Sequence, residues 1–384
     1  SRTQKKKKGC QKKKEAVMNI TFTDQRLEQI YAKARQGSRL SREDGICIYE
    51  TSDLLGVGQI AHHVRCRRHG KKAYYIYNQH INYTNICKNR CRFCAYARNE
   101  NDGDAYAWSM ADIEQRLMDR IDEPVDELHI VGGLNETLGF DYYIDLLKTV
   151  KRIRPAAAIK AFTCVEIDYL SRLSGLGLEQ TILQLKAAGL DMMPGGGAEV
   201  LNTRIHDALF PRKIDHNRWT QIVKAVHAAG IRTNATMLYG HIETIAERVD
   251  HLIALRTIQD KTAGFSAFIP LAFHSQNTKL SHLPPTTAMD DLKAVAAARL
   301  MLDNFDHIKA YWVMIGEPLS QVALSFGADD LDGTIIEERI THTAGARSAK
   351  GLTRDQMENM IRKAGFDPVQ RDSFYNPRTP QPNP

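Results

Sequence analysis

Strand-like runs alternate with helical runs along most of this chain, and that alternation limits the fold more than any other feature. The strand candidates lie at 74–82, 127–131, 158–164, 189–193, 233–239, 265–271 and 308–314. Amphipathic segments separate them. Trp219, Ile222, Val223 and Val226 form one apolar stripe at helical spacing, and Gly230 follows as a stop. Ser109 with Asp112 three residues on reads as a helix start, because such side chains satisfy orphan amides. Leu292, Val295, Ala296 and Leu300 supply an inward face within 289–304. Repeated strand–helix–strand units with right-handed crossovers build a parallel sheet, either open and doubly wound or closed into a barrel. No dinucleotide glycine fingerprint follows the first strand, which weakens the open, doubly wound form of this α/β fold without excluding it as the alternative to a partial or full TIM-like (β/α) barrel.

Residues 18–73 read as a helical preamble that includes 25–35, residues 74–327 as the barrel core, and 328–384 as a C-terminal extension capping the barrel. That extension holds a short helix near Arg354–Lys363 and a proline-rich end. Residues 1–17 stand apart. They carry Arg2, four lysines at 5–8 and three at 12–14 against Glu15, which is the whole net charge of +7, so the rest of the chain is neutral overall. They are read as a vector-derived or disordered tail, with Met18 the first plausible start. A neutral body gives no support to a nucleic-acid or membrane partner. No apolar run approaches the 18 to 20 residues needed to span a bilayer. Seven cysteines without a secretory signal point to reduced thiols or metal ligands, not a disulfide scaffold, and to a cytoplasmic protein.

The densest chemical signal is CKNRCRFC, with Cys87, Cys91 and Cys94 on a loop directly after the first strand. Three thiolates at spacings of 4 and 3 can converge on one metal centre. A four-iron cluster usually takes four cysteines, so three leave one iron open to something that is not protein. A zinc site would want a fourth ligand, for which His80 is the nearby candidate. Cys47, Cys66 and Cys164 read as small buried hydrophobes.

This motif, with Phe93 before its last cysteine, resembles the radical S-adenosylmethionine (SAM) superfamily. The resemblance implies a [4Fe-4S] cluster on Cys87, Cys91 and Cys94. It also implies SAM chelated to the open iron by its amino and carboxylate groups, and reductive cleavage to methionine and a 5′-deoxyadenosyl radical. Flavodoxin or ferredoxin is the implied electron donor. In the superfamily the turn matching Gly132-Gly133 holds the SAM amino group. Glu199, after the glycine run 195–197, suits ribose hydroxyls. Gly240 matches an adenine-contacting turn, where Glu243 could instead cap the next helix. Glu166 stands between a SAM contact and a solvent-facing carboxylate.

A closer resemblance covers roughly 45–365. The segments NYTNICKNRCRFCAYAR, HIVGGLN, LDMMPGGGAEVLN and TNATMLYGHIET look like the menaquinone enzymes of the futalosine pathway, and IPLAFHSQNT with KAFTCVEI fits the aminofutalosine synthases better than the dehypoxanthine futalosine cyclases. The implied reaction is addition of the deoxyadenosyl radical to the enol ether of 3-[(1-carboxyvinyl)oxy]benzoate, then aryl rearrangement and decarboxylation to 6-amino-6-deoxyfutalosine. Two substrate carboxylates need cationic or hydroxyl partners. Candidates are Asn234, His241, His274, Asn277, Thr341 and His342, although each histidine could equally serve a structural hydrogen bond. Arg248 reads as a packed or solvated helix residue and Tyr239 as barrel core. A zinc-stabilised nucleic-acid-binding protein is the rival from another class, and a plain electron carrier is disfavoured because it needs no large cavity.

Overall fold

The computed structural model describes residues 21–378. The basic tail, Met18 and the last prolines lie outside them. Ten strands are present: β1 (Lys72–Ile76), β2 (Asn78–Ile81), β3 (Glu127–Ile130), β4 (Ala158–Ala161), β5 (Met192–Met193), β6 (Arg232–Tyr239), β7 (Phe265–Ala272), β8 (His307–Ile308), β9 (Asp330–Gly333) and β10 (Asp367–Gln370). Strands β2 to β8 form one parallel sheet in chain order, as repeated crossover units require.

The first expected strand, 74–82, is in fact two strands in two sheets. β1 pairs in parallel with β10 and β9. At Tyr77 the chain changes partner, because the Tyr77 carbonyl accepts from the Asp126 amide at 2.8 Å and opens the pairing of β2 with β3. The last expected strand, 308–314, is also corrected. Only His307–Ile308 pair with β7, and Trp312–Ile315 is already helix.

Residues 329–336 bridge the two edges of the large sheet. Ala310 donates to the Asp330 carbonyl at 2.8 Å and Asp329 to that of Ile308 at 3.0 Å. On the other side His80 donates to the Ile336 carbonyl at 2.9 Å. The extension expected only to cap the barrel thus also supplies the strand that joins β8 to β2.

The helices start where the chain supplies caps. Ser109 with Asp112, Thr163 with Glu166, Thr244 with Glu247 and Thr287 with Asp290 each form a reciprocal capping box at the head of a barrel helix. Trp219, Ile222, Val223 and Val226 are all buried, as their spacing demands. The preamble folds as three helices, Arg26–Gln36, Arg42–Glu50 and Leu54–His69. Leu54–His69 packs on Ala288–Met301, and Gly58 leaves room for the Phe326 ring there. Among the described residues, no helix is long and apolar enough to cross a membrane.

Candidate active site

A cavity of about 360 Å³ opens among the loops that follow the strands and descends into the barrel lumen. Cys87, Cys91 and Cys94 line its upper wall, and His80, His129 and Asp332 line its lower part.

The cysteine loop is pinned by backbone hydrogen bonds. Cys87 donates to the Arg98 carbonyl (3.1 Å), Lys88 to Leu134 (3.1 Å) and Arg92 to Leu209 (2.9 Å), while Lys279 donates to Arg92 (3.0 Å). Gly133 is needed here for packing, since a Cβ on it would collide with the Ile86 carbonyl and press on Cys87. A Cβ on Gly132 would sit 2.6 Å from the Tyr83 ring. The glycines after β3 therefore make room for the cysteine loop and its support as well as lining the cavity.

The donor set fits an iron–sulfur cluster better than a single ion. Among the described residues, the three cysteines do not form a group whose ligand atoms all lie within 4.8 Å of one another. One tetrahedral zinc would draw its sulfurs to about 3.8 Å apart, whereas three separate corners of a cube hold them wider. Burial pushes the Cys91 thiol up to about 12 and raises Cys94, with Lys213 opposing both. Such thiols stay protonated until a metal takes the place of the proton. Among the described residues, the side chains that do approach so closely are those of His69, His307 and Asp329. There Asp329 already pairs with the Arg299 guanidinium, a cation that opposes a metal ion.

Glu199 lines the cavity with its backbone in the left-handed region (φ 51°) and its carboxylate 2.5 Å from Lys213 Nζ. Lys213 also lies 4.9 Å from the centroid of the Phe93 ring, so cation, carboxylate and aromatic form one wall beside the cysteines. Glu166 is buried, not solvent-facing. It accepts from Tyr83 Oη (3.0 Å), the Gly132 amide (3.2 Å) and the Thr163 amide (2.7 Å), and burial raises its pKa. Its carboxylate ties together the turns after β3 and β4.

His274 and Thr341 also line the cavity, and His274 Nε2 lies 2.9 Å from the Met314 carbonyl oxygen. His342 is a step behind, with Nδ1 2.7 Å from Glu338 Oε2. The other expected contacts lie elsewhere. His241 is buried with Nδ1 2.8 Å from Glu243. Glu243 accepts from the amides of Gly240 (2.6 Å) and His241 (2.9 Å) and pairs with Arg248 at 2.7 Å, so it ties the turn. Gly240 (φ 92°) packs on Thr286 outside the cavity wall. The Asn234 backbone packs against Gly195, and Asn277 Nδ2 donates to the Thr343 carbonyl at 3.0 Å. Tyr239 is core, donating its hydroxyl to Asp291 at 2.8 Å.

Lys213, His129 and Lys160, in or beside the cavity, were not among the expected site residues. Lys213, in the turn before Asp215, carries no local motif. Glu166, expected either at SAM or in solvent, carries a further local signal, since Thr163-x-x-Glu166 is a capping box. The lumen's signal is fainter: His129 in ELHI and Lys160 in AIKA stand beside apolar neighbours, while His80 was weighed only as a zinc ligand.

Comparison with known proteins agrees with this geometry. The radical SAM superfamily model matches residues 81–255, and the CofH/MqnC C-terminal region matches 262–383. The aminodeoxyfutalosine synthase of Thermus thermophilus is 42% identical over 356 residues, 92% of this chain and 96% of that protein. That of Streptomyces coelicolor is 38% identical over 91% of this chain and 92% of its own length. Among solved structures, methylornithine synthase shares the fold with a TM-score of 0.68 at 17% identity, covering 88% of this chain and 97% of that one. The chain belongs to the radical SAM superfamily, in the branch that carries the CofH/MqnC C-terminal region.

Proposed function

We propose that this chain is an aminodeoxyfutalosine synthase of menaquinone biosynthesis. The observation that carries this reading is the match, along nearly the whole chain, to the synthases of Thermus and Streptomyces. When bound, the [4Fe-4S] cluster and SAM would supply the 5′-deoxyadenosyl radical chemistry for addition to the enol ether of 3-[(1-carboxyvinyl)oxy]benzoate. The chain's own residues hold and enclose the reactants. Cys87, Cys91 and Cys94 would hold the cluster, three protein ligands for four irons. Glu199, held by Lys213, receives the ribose hydroxyls of SAM. The turn at Gly132-Gly133 receives its amino group, and Phe93 with the neighbouring apolar wall keeps water away. His274 and Thr341 face the substrate, and His342 acts through Glu338 from behind. A flavodoxin or ferredoxin delivers the electron.

Incubating the reduced, anaerobic enzyme with SAM and the enol-ether benzoate tests the reading. A covalent nucleoside–aryl product with loss of one carboxyl group is expected. Free 5′-deoxyadenosine without that product would overturn it.

A further inference from the structure

His80 on β2 and His129 on β3 are register partners, and His129 is in turn the partner of Lys160 on β4. The three therefore stand in one row across neighbouring strands. The two imidazoles stack with centroids 4.4 Å apart and planes 6° from parallel, and both line the lower cavity. His80 is only 5% exposed. Among the described residues, no hydrogen bond engages either ring.

The charges around them are already matched. Lys160 lies 2.5 Å from Glu127, Lys309 3.0 Å from Asp332, and His342 2.7 Å from Glu338. Burial lowers His80 to about 3, with His129 adding to it, and lowers His129 to about 4, with Lys160 adding to it. Glu338, Asp332 and Glu127 oppose these shifts, and Lys309 reinforces the one on His129. In the free protein both rings are thus neutral at neutral pH. Two unused imidazoles at the foot of a largely apolar cavity form a place prepared for a group that brings its own negative charge.

We propose that the stacked His80–His129 pair is the anchor for the aryl carboxylate of the substrate and takes up one proton as that carboxylate binds. The proposal rests on the synthase reading for the identity of the ligand, and its chemistry extends to any small aryl carboxylate. An entering anion has no spare cation on this floor, because each lysine is committed to a carboxylate. Protonating the imidazole pair supplies the missing charge and turns a neutral donor into a charge-assisted one. Carboxylate binding therefore tightens as pH falls from 8 to 6, while the methyl ester, which carries no charge, shows no such dependence.

The test uses cluster-loaded enzyme with SAM and compares 3-methoxybenzoate with its methyl ester by calorimetry in buffers of different ionisation enthalpy. The acid is expected to bind with uptake of about one proton, the ester with none. His80→Phe and His129→Phe keep an aromatic ring and remove its nitrogens. Each should weaken the acid about 10- to 100-fold and leave the ester within about threefold. His129→Gln, which keeps a donor, should recover part of the loss and guards against a Phe variant that fails to fold. If acid and ester weaken together, or the wild type binds the acid without proton uptake or not at all, the anchor is wrong. Turnover of the enol-ether benzoate is scored separately. Product formed alongside histidine-independent acid binding would overturn the anchor and spare the synthase reading; histidine-dependent acid binding without product would do the reverse.

Discussion

The two ends of the cavity are built on opposite plans. The mouth is made of contiguous chain. Cys87, Cys91 and Cys94 sit within eight residues, and the glycines at 132–133 and 195–197 each follow one strand directly. The floor takes single residues from distant strands, His80, His129 and Asp332, with the Lys160–Glu127 and Lys309–Asp332 pairs beside them, all brought together by sheet register and by the closing segment 329–336. The mouth is held by backbone hydrogen bonds and offers three thiols as metal ligands. The floor is held by ion pairs that complete each other. A cofactor site can be written in a motif, whereas a lumen is written in pairing register.

This contrast can be broken by substitution at either end. The largest effect is expected from Cys91→Ala, which should drop iron from about four per chain to a small residue and abolish SAM cleavage. The charged floor should be untouched, as unchanged far-ultraviolet circular dichroism would show. Next comes Lys160→Met. Removing one member of a buried pair leaves Glu127 uncompensated and should cost about 3–5 kcal/mol in denaturant melts, with iron content in reconstituted protein unchanged. Adding Glu127→Leu should recover much of that loss; no recovery would mean that the pair is not the unit.

Glu199→Gln and Lys213→Met probe the seam between the two plans. Either should weaken SAM by about tenfold in equilibrium binding with the cluster intact, because each leaves its partner without a countercharge. The smallest effect belongs to His342. Its hydrogen bond to Glu338 raises its pKa above the usual 6.5, so the stabilisation is fully present below that value and fades as pH rises through the higher folded value. The group is partly exposed, so His342→Asn should cost only a few tenths of a kcal/mol at pH 6. The difference from wild type should vanish by pH 9.

What could be read from the chain follows the same division. Helix starts, apolar stripes and the cysteine loop are local, and the alternation of elements was enough for a parallel α/β fold. The split of 74–82 was not legible, because nothing at Tyr77 announces a change of partner; that depends on β10, almost three hundred residues away. Asn234, Asn277 and His241 drew attention as polar residues near strand ends, yet each is placed by packing or turn hydrogen bonds outside the cavity wall. His129 escaped notice because two polar residues in a four-residue strand, Glu127 and His129, say nothing until their neighbours across the sheet are known.

The pairing of β1 with β10 and the bridging by 329–336 also bear on how the protein is made. A ribosome releases the barrel helices and the cysteine loop long before the residues that seal the lumen, so the nascent polypeptide exposes an unzipped sheet until those residues emerge. Cluster insertion into a half-emerged chain would meet an open trough, and only the arrival of residues 329–336 turns that trough into an enclosed chamber.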